Sequence, residues 1–217
     1  KFEITWLDNE SKHFTSELQN TLSNNEFDLI FLSHVFFNSG KILSEKEIKN
    51  VISLKKNALF ILDGYHSYCA LPFDLKPYED DLYYMAGAYK YAQAGEGMCF
   101  ITLPKNCNLR PILTGWMAEF GNLEQVNSNK DIPFSADGFK LWGSTLDMTA
   151  FLRFNRIWKM FLNEGISISN IHHHVRDLQE AFLHENPLAA YLMDKNLDSL
   201  GHFITFDMKT EQRARSI

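Results

Sequence analysis

Leu62-Asp63-Gly64-Tyr65-His66-Ser67 closes one apolar run, and Leu82-Tyr83-Tyr84-Met85-Ala86-Gly87-Ala88-Tyr89-Lys90-Tyr91 closes another. The first run, Ala58 to Leu62, reads as a buried strand that stops at Asp63-Gly64. The second reads as a strand over Leu82 to Ala86, ending at Gly87. Ionisable side chains therefore follow each strand end: Asp63 and His66 after one, Tyr89 and Lys90 after the other. Open α/β sheets place their ligands outside the carboxyl ends of the strands, so these two endings define where a site is expected.

Working outward, Phe27 to Leu32 is another short strand-like run, followed by Ser33 and His34. Ser44 with Glu47 makes a capping box that opens a helix carrying Ile48, Val51, Ile52 and Leu54. Met98 to Leu103 reads as a fourth strand before Pro104. Strand, helix and strand joined by short connections form a βαβ unit, so the fold expected is α/β with a mainly parallel sheet. The character changes after Pro133. Leu146 to Leu162 reads as a long helix with Asn163-Glu164-Gly165 as its stop, and a second helix runs from about Ser169 to His184, ending near Pro187. Phe203 to Phe206 is expected to be a strand. The division expected is residues 1–145 as part of a large domain, then 146–217 as a linking helix and part of a smaller α+β domain.

Composition narrows the classes of function. The chain has 217 residues, and 45% of them are hydrophobic, enough for a real core. A net charge of −6 without a long Lys/Arg run argues against nucleic-acid or anionic-membrane binding. No apolar stretch reaches membrane-spanning length. Three cysteines without a CxxC pair suit a reducing cytoplasmic compartment. The chain begins at Lys1 without a Met, as a fragment would. His172-His173-His174 invites a metal, but neighbours at a helix start point in different directions and no metal site is expected. Cys69 has no basic partner nearby in sequence and reads as a buried, inert thiol. Gly95 and Gly97 read as residues that let the chain turn, rather than as a phosphate loop.

A lysine free in water has a pKa near 10.4 and is a poor nucleophile. Burial or neighbouring cations lower it towards the range where it attacks carbonyls. A carboxylate near a protonated pyridine nitrogen interacts with it by about 4 kcal/mol at 4 Å and an effective dielectric near 20. Spacing alone leaves Asp63 open to a plainer reading as the cap of a turn before Gly64. The wording around it decides the matter. Leu62 to Ser67, Ala88-Tyr89-Lys90-Tyr91 and Gly95-Glu96-Gly97 resemble the class V aminotransferase superfamily of pyridoxal-phosphate (PLP) enzymes, most closely kynureninase and kynureninase-like proteins. Leu32-Ser33-His34-Val35 with Ser39-Gly40, Gly115-Trp116, and Trp142-Gly143-Ser144-Thr145 fit the same pattern.

The resemblance implies the large domain of a PLP-dependent transferase, incomplete because the family's subunit is about twice as long. It implies Lys90 as the catalytic lysine that holds PLP as a Schiff base, Asp63 beside the pyridine nitrogen, and His66 close to the ring. It implies Tyr89 as a phosphate ligand, and Trp116, helped by Ser144 or Thr145, reaching a phosphate across a homodimer interface. It also implies a small amino-acid substrate. A phosphate-binding loop and a ring-stacking residue are not identifiable, and the chain stops at Arg213, Arg215 and Ile217, before the family's carboxylate-binding Arg. Three reactions compete: kynureninase-like hydrolysis, amino-group transfer and cysteine desulfuration. The third is disfavoured because no cysteine follows Cys107 and because Phe36 stands where a desulfurase would place an asparagine facing the ring hydroxyl. The rival from another class is a non-catalytic PLP-fold scaffold, which would need neither Lys90 nor Asp63.

Overall fold

The computed structural model describes residues 2–122, 133–193, 196–206 and 208. Among these residues four strands form one sheet: β1 (Leu29–Ser33), β2 (Leu59–Asp63), β3 (Tyr83–Gly87) and β4 (Cys99–Thr102), hydrogen-bonded in that order. β1 with β2 and β2 with β3 are parallel; β3 with β4 is antiparallel. This is the mainly parallel α/β sheet expected, with one reversed strand at the side of β3. Ser33 is level with Asp63, and Asp63 with Met85, so the carboxyl ends of the three parallel strands share one edge. β2 alternates, with Phe60 and Leu62 wholly buried, which sets the register firmly because a one-residue slip would turn them to the other face.

Helix α1 (Phe14–Asn24) packs Phe14, Leu18 and Leu22 into the core. Its spacing of four is legible in the sequence, but His13 supplies no side-chain cap, so no start signal marks it. Helix α2 (Glu45–Leu54) opens on the capping box foreseen at Ser44. Glu47 Oε2 accepts from Ser44 N at 2.8 Å, and Ser44 Oγ accepts from Glu47 N at 3.3 Å. Thr15 Oγ1 donates to Glu47 Oε1 at 2.6 Å, tying α1 to α2. Burial pushes the Glu47 carboxyl up, yet the bonds from Thr15 and Ser44 outweigh it and hold the pKa below the usual range.

Helix α3 (Thr149–Asn163) lays Phe151, Phe154, Ile157 and Trp158 against Ala88, Ala92, Ala94 and Met98. It therefore covers the loop that carries Lys90. Helix α4 (Ile168–Glu185) is followed at once by α5 (Pro187–Leu192). Pro187 thus begins a helix, where its missing N–H costs nothing.

The strand expected over Phe203 to Phe206 does not form. The segment meets an irregular turn rather than another strand. Gly201 N donates to Gly40 O at 2.8 Å, Thr205 Oγ1 donates to Ser39 O at 3.0 Å, and Lys41 with Leu200 makes a single bridge. A ladder needs a partner of regular pleat, and residues 39–42 do not offer one.

Candidate active site

Asp63 is the last residue of β2, and its carboxylate is fixed on both oxygens. Oδ1 accepts from Tyr65 N at 2.9 Å and Oδ2 receives a long bond, 3.4 Å, from Ser33 Oγ of the neighbouring strand. The chain then turns through Gly64, where a Cβ would lie 2.0 Å from the Tyr84 ring, so no larger residue fits. Tyr84 Oη in turn meets Ser67 Oγ at 3.0 Å, closing the turn from below.

His66 and Lys90 come together at the exit of this turn. Lys90 Nζ lies 2.6 Å from His66 Nε2. Burial lowers the pKa of both groups. The Lys90 charge lowers His66 further, while the nearby Asp63 carboxylate raises both. Two protonated groups cannot share so short a contact, so the pair holds a single proton between Nζ and Nε2; where Lys90 is the charged donor, the imidazole is neutral. His66 Nδ1 is then the protonated ring nitrogen, and it is buried without a partner among the described residues. The imidazole is walled by Phe37, Phe203 and Tyr91, with ring centroids 5.5, 5.2 and 6.3 Å away.

Lys90 is held on a loop between antiparallel strands. Ala88 N donates to Met98 O at 2.9 Å and Ala94 N to Ala88 O at 2.8 Å. Arg153 of α3 reaches in and donates to Ala94 O at 3.0 Å and Glu96 O at 2.7 Å. Gly95 and Gly97 have φ of +71° and +97°, so they do provide the chain reversal read from the sequence. Tyr89, 37% exposed, stands beside Lys90 with its ring 5.7 Å from that of Tyr65.

The structure thus unites Asp63, His66, Tyr89 and Lys90. Trp116, Ser144 and Thr145 are not joined to them among the described residues. The Trp116 ring, 49% exposed, meets Phe120 at 6.1 Å, and Ser144 and Thr145 are exposed. The carboxy-terminal Arg213 and Arg215 lie outside the described residues. Phe36 needs correction: it points into the core, edge-on to Phe14 at 5.5 Å, and the neighbouring Phe37 is the residue that meets His66. Cys69 is buried, and burial pushes its thiol up to about 11, so it is protonated and inert. His172 does not stand with His173 and His174 as a ligand set; its Nδ1 lies 3.1 Å from His202 Nε2.

Tyr65, Phe37 and Phe203 were not singled out from the sequence. Tyr65 lies between Asp63 and His66 and was legible by position. Phe203 arrives from the far end of the chain and carried no local signal.

No helix among the described residues is long and apolar enough to cross a membrane. The family model described as Aminotransferase class-V matches residues 1–215. No curated protein matches the chain. Among solved structures, it is similar to a NifS-like protein, with a TM-score of 0.58 and 16% identity over 87% of this chain and 45% of that one. It is similar to an alanine–glyoxylate aminotransferase from Nostoc sp., with a TM-score of 0.55 and 12% identity over 80% of this chain and 44% of that one. It is also similar to a ureidoglycine–glyoxylate aminotransferase from Bacillus subtilis, with a TM-score of 0.55 and 15% identity over 82% and 43%. The chain therefore spans under half the length of the solved structures it resembles. At these identities the likeness is one of fold.

Proposed function

Because the chain belongs to the class V aminotransferase family, whose cofactor is pyridoxal phosphate, we propose that Lys90 attaches that cofactor and that the full protein acts on a small amino acid. The residues present fit the group. The amine at Lys90 is less basic than usual, a carboxylate stands close enough to act on it, and a buried imidazole nitrogen at His66 waits for an acceptor. When bound, pyridoxal phosphate supplies an electron sink for the substrate's α-carbon.

In this reading Asp63 would hold the proton on the cofactor's pyridine nitrogen, and Ser33 and the Tyr65 amide fix the carboxylate for that task. His66 would help hold the cofactor, and its contact with Nζ keeps Lys90 turned inward. Tyr89 offers its hydroxyl to the phosphate. Lys90, once free of the cofactor, is placed to carry a proton to or from the substrate. Trp116, Ser144 and Thr145 serve the site of a second copy, which makes the active form a homodimer; their exposed positions leave them free for it.

The single observation that carries this reading is the 2.6 Å pairing of Lys90 with His66 beside Asp63. For the reaction, we infer amino-group transfer or kynureninase-like hydrolysis of a side-chain carbon–carbon bond. Within this chain no cysteine follows Cys107, so desulfuration finds no support here.

The test uses the full-length protein with added cofactor. The wild type should develop an absorption band at the violet edge of the visible spectrum, and Lys90→Ala should not. Survival of the band in Lys90→Ala would remove Lys90 from the attachment point. Absence of the band in both would favour a non-catalytic scaffold. Product analysis with kynurenine and alanine then separates the two reactions.

A further inference from the structure

Lys90 Nζ has aromatic neighbours on two sides. It stands 5.7 Å from the centroid of the Tyr65 ring and 5.7 Å from that of Tyr89. Both lie within the distance at which a cation is attracted to the face of a ring. The two rings are 5.7 Å apart and inclined at 56°, so they form a wedge open towards the amine.

The wedge is built rather than incidental. Gly87 lies beneath it, and a Cβ there would fall 2.6 Å from Tyr65 Cε1 and 2.7 Å from Tyr89 Cε1. The rings occupy the space that any other residue would need. Tyr65 is tethered at its backbone as well, where its N–H donates to Asp63 Oδ1 at 2.9 Å. At its hydroxyl, Cys99 of β4 is a hydrogen-bond partner. Tyr65 is thus fixed at both ends between the carboxylate and the lysine.

We propose that Tyr65 is a positioning residue for Lys90: with Tyr89 it forms a two-ring seat that receives the free, protonated amine and turns it towards His66. The inference rests on Lys90 being the attachment lysine. A freed ammonium in a partly dry site needs stabilisation that does not tie it down. A carboxylate would hold it in a strong pair, whereas a ring face gives a weaker and less directional attraction. The seat keeps the amine within reach of both its attachment position and the imidazole, without locking it.

The experiment follows the amine itself. In full-length, cofactor-free protein, acylation of Lys90 is measured by mass spectrometry as a function of pH, since only the neutral amine reacts. The rate of appearance of the violet-edge band on adding pyridoxal phosphate is measured alongside. Tyr65→Leu removes the ring at similar bulk, and Tyr65→Phe keeps the ring but drops the hydroxyl. Loss of the ring face should lower the midpoint of Lys90 acylation by about half a pH unit, a two- to fivefold change in the amine's proton affinity. It should also slow cofactor attachment. Tyr65→Phe should match the wild type in both. The proposal is overturned if the two variants shift together, which would point to the hydroxyl, or if neither shifts. Should Tyr65→Leu fail to fold, Tyr65→Met replaces it with the same expectation. If Lys90→Ala retains the band, the underlying reading fails; if the band needs Lys90 but ignores Tyr65, the seat alone fails.

Discussion

At the scale of single residues, the site depends on which proton sits where. The Asp63 carboxylate acts on Lys90 and His66 in opposition to burial. Asp63→Asn removes that negative charge and keeps the shape. Lys90 should still attach the cofactor, but turnover should fall on the order of a hundredfold, as expected when an attraction of a few kcal/mol is lost from the reacting ring. Steady-state kinetics beside the absorption spectrum would check this, and an unchanged kcat would remove Asp63 from the ring nitrogen. Asp63, His66 and Lys90 were all legible in the sequence, because strand-end polar residues and the family wording coincide there. Phe37 was not, because the choice between Phe36 and Phe37 turns on which one the bend after β1 sends into the core. Only packing against Phe14 decides that.

At the scale of elements, most boundaries were foreseen to within a few residues because each had a local cause. The capping box announced α2, and Gly165, with φ of +65°, sits just past α3 where a stop was expected. The supposed strand at Phe203 failed because strand propensity needs a partner, and the partner is set by tertiary structure. The Ser44–Glu47 box also reaches α1 through Thr15, so its loss should cost more than an isolated cap. Ser44→Ala in the full-length protein should destabilise by about 1 kcal/mol, and Glu47→Ala by more, because it releases three hydrogen-bond donors on two elements. Urea unfolding would rank the two, and an equal or reversed order would deny the link between helices.

At the scale of the whole molecule, buried imidazoles make stability depend on pH. Burial lowers His34 to about 4, partly offset by Glu45, and the ring is 3% exposed. The unfolded chain takes up this proton near pH 6.5 and the folded chain only near 4. The unfolded state therefore binds more protons in that window, and stability falls as pH drops through it. His34 alone accounts for a loss of about 3 kcal/mol between pH 6.5 and 4. His202, also lowered to about 4 by burial and by His172 and Arg176, acts in the same direction. Urea midpoints of the full-length protein should decline from pH 7 to 5, and His34→Leu should flatten that decline. A slope identical in the variant would refute the assignment. This behaviour was hidden in the sequence, since nothing local says that His34 faces inward while Ser33 faces the carboxylate. The contact of Phe203 with His66 has a consequence in time. A ribosome makes the lysine long before it makes the residue that walls its imidazole partner, so a nascent chain carries an unfinished pocket until synthesis has passed that codon.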